Sequence, residues 1–250
     1  MSSASEAPPA TAWKEASGPW TDLGLTLPIF VGYHLGVVLL PVRNAADLVT
    51  FELITLANNN MFAYSALTLA IAAVYVGVLW VAGRGRALRW ERFVWIGIEG
   101  IVYAFTMRLI AANVVGNLGL TSLVGPTGVP LARGIDSGFA GLVMSFGAGF
   151  YEEVMFRVVL FGLGARLLIY LFPIPVPAKR FVVKVTWAVV TAAIFSGWHY
   201  VGPMGDDFDL LSFVFRWVCG IVFCFIYWFR GFAPAVWTHA LYDVWVLVLN

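Results

Sequence analysis

The sequence predicts an all-α, polytopic transmembrane bundle of about seven to eight hydrophobic helices joined by short loops. Three observations carry that expectation. Of 250 residues, 61% are hydrophobic and 12% charged, where soluble domains run at about 45–50% and about 25%; mean hydropathy is +0.86. Apolar runs recur at lengths near the ~20 residues that cross a ~30 Å hydrocarbon core. Basic residues cluster in alternate connections, as they do on the cytoplasmic side of membrane proteins. A net charge of +1 with no long basic patch argues against nucleic acid as a partner; the lipid bilayer is the expected one.

Residues 1–22, rich in Ser, Ala, Pro and Glu, read as a mobile, solvated tail. They lack the basic and apolar regions of a signal peptide. Residues 23–250 are expected to form a single transmembrane domain. Its first span, 23–42, contains Pro28, His34 and Pro41, with His34 expected to be hydrogen-bonded inside the bundle. Residues 43–60 carry Asp47 and Glu52 and read as an interfacial helix or loop. A clean apolar run of 22 residues, 61–82, is followed at once by Arg84, Arg86, Arg89 and Arg92, the strongest positive-inside signal in the chain. The next span, 93–115, holds Glu99 and Arg108. Same-helix neighbours are three or four residues apart, so each of these charges needs a partner elsewhere.

A Gly/Pro-rich connection, 116–136, leads to the apolar run 138–172. As one α-helix that run would be about 52 Å long, too long for one upright span. It is expected either to project with Arg166 in the headgroups or to break near Gly162-Leu163-Gly164. Residues 173–184 form a second basic loop with Lys179, Arg180 and Lys184; spans at 185–201, 210–229 and 233–250 complete the bundle. The loop holding Asp206, Asp207 and Asp209 reads as solvated. Cys219 and Cys224 are five residues apart, about 7.5 Å of helical rise, which is too far for a disulfide. With the arginine loop cytoplasmic, seven spans put every basic loop on that side, the N-terminus inside and the C-terminus outside.

The chemistry is concentrated in 138–250. Tyr151-Glu152-Glu153-Val154-Met155-Phe156-Arg157 places three charges in an apolar run, each costing about 2.5–3.5 kcal/mol in hydrocarbon on the lenient insertion scale. Glu153 and Arg157, four apart, share a helix face. Glu152 points about 100° away on an α-helix and stays free for another partner. His199 follows Phe195 by four residues, and His239 precedes Asp243 by four; Asp243 can accept from one imidazole nitrogen and fix the ring's tautomer. Two carboxylates and two histidines in a low-dielectric cavity form an acid–base set in which Glu152 takes a proton from water. No Ser, Thr or Cys in these segments has a general base at helical spacing, so water fits better than a covalent nucleophile. Taken singly, an ion pair or a His–Asp hydrogen bond is as often structural. Counted from span centres, Glu152 lies about 6 Å and His239 about 3 Å to the cytoplasmic side, and His199 about 9 Å to the other.

The ordered set Glu152-Glu153-Val154-Met155-Phe156-Arg157, Phe195-Ser196-Gly197-Trp198-His199 and His239-Ala240-Leu241-Tyr242-Asp243 resembles the CPBP family of intramembrane proteases. That family includes CAAX prenyl-protein peptidases and bacterial bacteriocin-processing or immunity-related proteins. The resemblance covers roughly 138–250. It implies an integral protein of the bacterial plasma membrane that cleaves a protein or peptide substrate, lipidated or with a C-terminal membrane tail. It further implies that Glu152 activates water with help from His199, that Arg157 holds Glu153, and that His239 and residue 243 bind or polarise the scissile carbonyl. Prenyl-processing members often carry Asn at that last position; Asp243, when ionised, cannot donate to an oxyanion and is expected to orient His239. No cofactor is favoured; a zinc held by Glu152, His199 and His239 is the alternative, although the helical His-Glu-x-x-His signature is absent. The rival function is a non-catalytic membrane protein, a proton-coupled transporter or an immunity or scaffold protein, that uses the polar core for binding.

Overall fold

The structure, a computed structural model, describes residues 19–40, 44, 60–82, 90–119, 138–172, 177–202 and 205–249. These residues form seven helices and no strand: α1 Pro19–Leu39, α2 Met61–Ala82, α3 Trp90–Asn117, α4 Gly138–Leu171, α5 Pro177–Trp198, α6 Leu210–Arg230 and α7 Phe232–Val248. Within α1, α3, α4, α5 and α6 lie apolar stretches long enough to cross a membrane, and shorter ones occupy Met61–Gly77 and Phe232–Val248. The protein is an integral membrane protein of the expected all-helical class. Helices satisfy their own backbone polar groups, which is what hydrocarbon demands of a spanning segment.

Three boundaries differ from the sequence expectation. The first helix begins at Pro19, so residues 19–22 are helical rather than tail, while 1–18 lie outside the described residues. Asp22 explains the extension: it is buried and accepts a 2.8 Å hydrogen bond from the Phe232 N–H, capping an orphan donor at the start of α7. The second basic loop is shorter than expected, because α5 starts at Pro177 and takes in Lys179, Arg180 and Lys184; proline suits a first helical turn. Helix α4 does not break at Gly162-Leu163-Gly164. It is α-helical over Gly138–Gly147, π-helical over Ala148–Leu163 and α-helical again over Gly164–Leu171. A π-helix bonds i to i+5 and is usually a single turn; here it runs for 16 residues. The glycines mark a change of register, from the π stretch back to α-helix. Trp187 of α5 braces the widened stretch, its Nε1 donating to the Leu160 carbonyl at 2.9 Å. Of residues 43–60 only Asn44 and Asn60 are described, and Arg84, Arg86, Arg89 and most of the 116–136 connection lie outside the described residues.

Helix α7 is the hub, packed against α1, α3, α4 and α6. Its buried face is built from small residues, Ala233, Pro234, Ala235 and Ala240, which let neighbouring backbones approach closely. The approach of α4 is closest at Gly149, where an added Cβ would stand 2.7 Å from the Ala240 Cβ and 2.9 Å from its backbone nitrogen. That contact brings the two charged motifs together.

The charges outside the motifs find partners as their spacing required. Glu99 binds Arg230 through two bonds of 2.6 and 3.0 Å, and the Arg108 guanidinium lies 4.9 Å over the Trp245 ring. His34 is buried, with Nδ1 3.2 Å from the Tyr64 hydroxyl and Nε2 2.6 Å from that of Tyr151. Cys219 and Cys224 are buried free thiols. The acidic loop is less idle than expected. Asp209 caps α6 by accepting from Ser212 N at 2.7 Å, and Asp206 pairs with Arg216 at 2.7 Å.

Candidate active site

The two adjacent glutamates lie in the π-helical part of α4 and have opposite environments. Glu153 is fully enclosed. One of its oxygens accepts from His239 Nδ1 at 2.7 Å, and the other lies 3.2 Å from Arg157 Nε. The Arg157 guanidinium is in turn held between two rings, 4.1 Å from the Phe195 centroid and 4.8 Å from that of Phe223. Cation–π contacts of this kind are worth about 2 kcal/mol when desolvated. Phe223 also stacks on the His239 ring with centroids 4.6 Å apart. Helices α4, α5, α6 and α7 thus close one compact unit around a single buried charge pair.

Glu152 is buried too, but only one of its carboxylate oxygens is hydrogen-bonded among the described residues. Oε1 accepts from Asn44 Nδ2 at 2.8 Å. Oε2 has no hydrogen-bond partner among the described residues and stands 3.9 Å from His199 Nε2 and 3.9 Å from His239 Nε2. Both imidazoles are oriented from behind. His199 Nδ1 lies 3.0 Å from the Phe195 carbonyl, which can only accept, so Nδ1 carries the proton and Nε2 turns towards Glu152. His239 donates from Nδ1 to Glu153 and likewise turns Nε2 inward. His199 reaches this point, despite the depth difference expected from span centres, because α5 ends at Trp198. The chain then loosens into i→i+3 bonds at His199, Tyr200 and Val201.

The structure therefore brings Glu152, Glu153, Arg157, His199, His239 and Asp243 together, with one correction to their roles. The carboxylate that fixes the His239 ring is Glu153, not Asp243. Asp243 Oδ2 is 3.6 Å from His239 Nε2, too far for a hydrogen bond, and lies near the ring nitrogen that also faces Glu152 Oε2. Same-helix spacing pointed to Asp243; the shorter bond comes from another helix, which periodicity does not reveal.

Two contributors carried no motif. Phe223 lies in an ordinary apolar run. Asn44 lies in a mixed segment 108 residues before the glutamate it touches, and its polarity beside the first span was the only available signal.

The donor types Glu152, His199 and His239 suit zinc, and both histidines have the outer hydrogen bonds that metal-bound imidazoles use. Their spacing is wider than a bound zinc sets. Ligand atoms of a tetrahedral zinc lie about 3.3 Å apart, less than the 3.9 Å found on both sides of Glu152 Oε2. Among the described residues no group of three His, Cys, Asp or Glu side chains gathers closely enough to hold a metal ion.

Residues 135–245 match the family model described as type II CAAX prenyl endopeptidase Rce1-like. The matched interval holds all six of these residues and leaves α1, α2 and α3 outside. No curated protein and no solved structure matches the chain. The intramembrane-protease family expected from the three ordered motifs is thus the one whose model matches the C-terminal part of the chain, the Rce1-like type II CAAX prenyl endopeptidases.

Proposed function

We propose that the chain is an intramembrane endopeptidase that hydrolyses a peptide bond near a C-terminal or membrane-proximal segment of a protein, with Glu152 activating the water. A prenylated CAAX tail is the substrate class that the matched family's description suggests. The observation that carries the reading is the buried Glu152 Oε2, without a hydrogen-bond partner among the described residues and 3.9 Å from the inward nitrogens of both histidines. A water about 2.8 Å from both Oε2 and His199 Nε2 bridges that gap with ordinary hydrogen-bond lengths.

In this mechanism Glu152 Oε2 takes one proton from the water, and His199 Nε2 accepts a hydrogen bond from the O–H that remains. The water oxygen bonds to the scissile carbonyl carbon, and the carbonyl π pair moves onto its oxygen. His239, in its imidazolium form, donates from Nε2 to that oxyanion while Nδ1–H stays on Glu153. Collapse breaks the C–N bond, and the proton held by Glu152 passes to the departing amine. Glu153 and Arg157 position His239 and touch no reacting atom. Asp243 adds negative charge beside His239 Nε2 and, when ionised, donates nothing to the oxyanion. No step runs through a metal. The basic cluster Arg84, Arg86, Arg89 and Arg92 favours a cytoplasmic N-terminus.

The test is cleavage of a prenylated CAAX peptide by the purified full-length protein in detergent, with products identified by mass spectrometry. Wild type is expected to release the C-terminal fragment, in chelator as well as without it. Glu152→Gln is expected to lose about 10²–10⁴-fold in rate, the range of general acid–base catalysis, while remaining folded. A folded Glu152→Gln that cleaves at the wild-type rate contradicts the mechanism.

A further inference from the structure

A glutamate carboxylate turns about a broad, roughly two-fold terminal torsion. Burial alone therefore does not decide which of its oxygens faces the histidines. At Glu152 that choice is made by Asn44, whose Nδ2 donates to Oε1 at 2.8 Å and leaves Oε2 facing His199 and His239. Asn44 is itself 6% exposed and anchored through its backbone, its N–H donating to the Tyr33 hydroxyl at 3.0 Å. Tyr33 is completely buried in α1, and its ring packs edge-on against His34 at 5.2 Å and Tyr151 at 5.5 Å. The fit against α4 is tight: a Cβ added to Gly147 would come within 2.5 Å of the Tyr33 ring and 3.0 Å of the Asn44 Cβ. Asn44 is thus held from α1 on one side and by a glycine of α4 on the other, with its amide aimed at one oxygen.

We propose that Asn44 is a positioning residue for Glu152, so that α1 and Asn44 complete an active site whose recognised motifs all lie within 135–245. This inference rests on the reading of Glu152 as the base. The amide is the only donor to Oε1 among the described side chains whose bonds to Glu152 are resolved. Removing it leaves a buried carboxylate oxygen unsatisfied and frees the torsion that aims Oε2. A donor acting at the base rather than on the substrate affects turnover and leaves substrate binding alone.

The experiment compares full-length wild type, Asn44→Ala, Asn44→Leu and Glu152→Gln in detergent. Asn44→Leu keeps the side chain's size and removes its donor, so it serves where the alanine variant folds poorly. With the prenylated CAAX peptide, kcat is expected to fall about 10- to 100-fold in both Asn44 variants, as for a catalytic group misplaced by about 1 Å, with KM within about twofold of wild type. The infrared carboxylate band of Glu152, assigned as the band lost in Glu152→Gln, is expected to shift in both. The infrared arm needs no substrate and reads the bond even where the peptide is not cut. Asn44 variants with wild-type kcat and an unmoved band overturn the proposal. If Glu152→Gln is inactive in that case, the base assignment stands and only the role of Asn44 falls. If Glu152→Gln cleaves normally, the base assignment falls and takes this inference with it.

Discussion

The inner and outer sides of the site are built from neighbouring residues by opposite rules. On the inner side Glu153 spends one oxygen on His239 and the other on Arg157, whose guanidinium is in turn enclosed by Phe195 and Phe223. On the outer side Glu152 has one oxygen held by Asn44 and the other left facing two imidazole nitrogens at 3.9 Å. A buried carboxylate with an opposite charge 3.2 Å away is a brace, because desolvation makes loss of either partner costly. Glu152 Oε2 has no such counter-charge and no hydrogen-bond partner among the described residues, which leaves it free to accept from a water. One peptide unit separates the two.

That contrast is broken first at Arg157. Arg157→Met should leave the Glu153 charge uncompensated and cost about 3–5 kcal/mol, read as a large fall in the detergent melting temperature together with loss of cleavage. His199→Ala acts on the other side. It should cut turnover about 100-fold, within the range for an assisting acid–base group, with little change in melting, since the His199 ring makes one hydrogen bond among the described residues, to the Phe195 carbonyl. The smallest effect is expected at Asp243. Asp243→Asn removes a charge that makes no hydrogen bond to His239 and supplies an amide donor beside His239 Nε2, so cleavage should stay within about tenfold of wild type. A loss there as deep as that of Glu152→Gln would show that the outer side depends on Asp243 more than its 3.6 Å separation from His239 implies.

Much of the bundle was legible because membrane spans announce themselves by length and polarity. Met61–Ala82 coincides with its apolar run, and α3 and α6 overlap theirs closely. Pairs on one helix were legible too, since Glu153 and Arg157 are four apart and remain in reach in the π register. The register itself was not, because a π-helix and an α-helix draw on the same apolar residues. Bonds between helices were hidden for a different reason. The partners Glu153–His239, Glu152–Asn44 and Glu99–Arg230 are 86, 108 and 131 residues apart, and helical periodicity carries no information across such intervals. The sequence placed Asp243 on His239 because it was the neighbour visible to a four-residue rule.

The division of labour between the two glutamates is tested most directly by measuring cleavage and melting side by side for Glu152→Gln and Glu153→Gln in the full-length protein. Glu152→Gln should abolish cleavage of the prenylated CAAX peptide with a melting temperature close to wild type. Glu153→Gln should melt far lower, because Arg157 is then buried without its counter-charge. A stable, inactive Glu153→Gln beside an active Glu152→Gln would contradict the account.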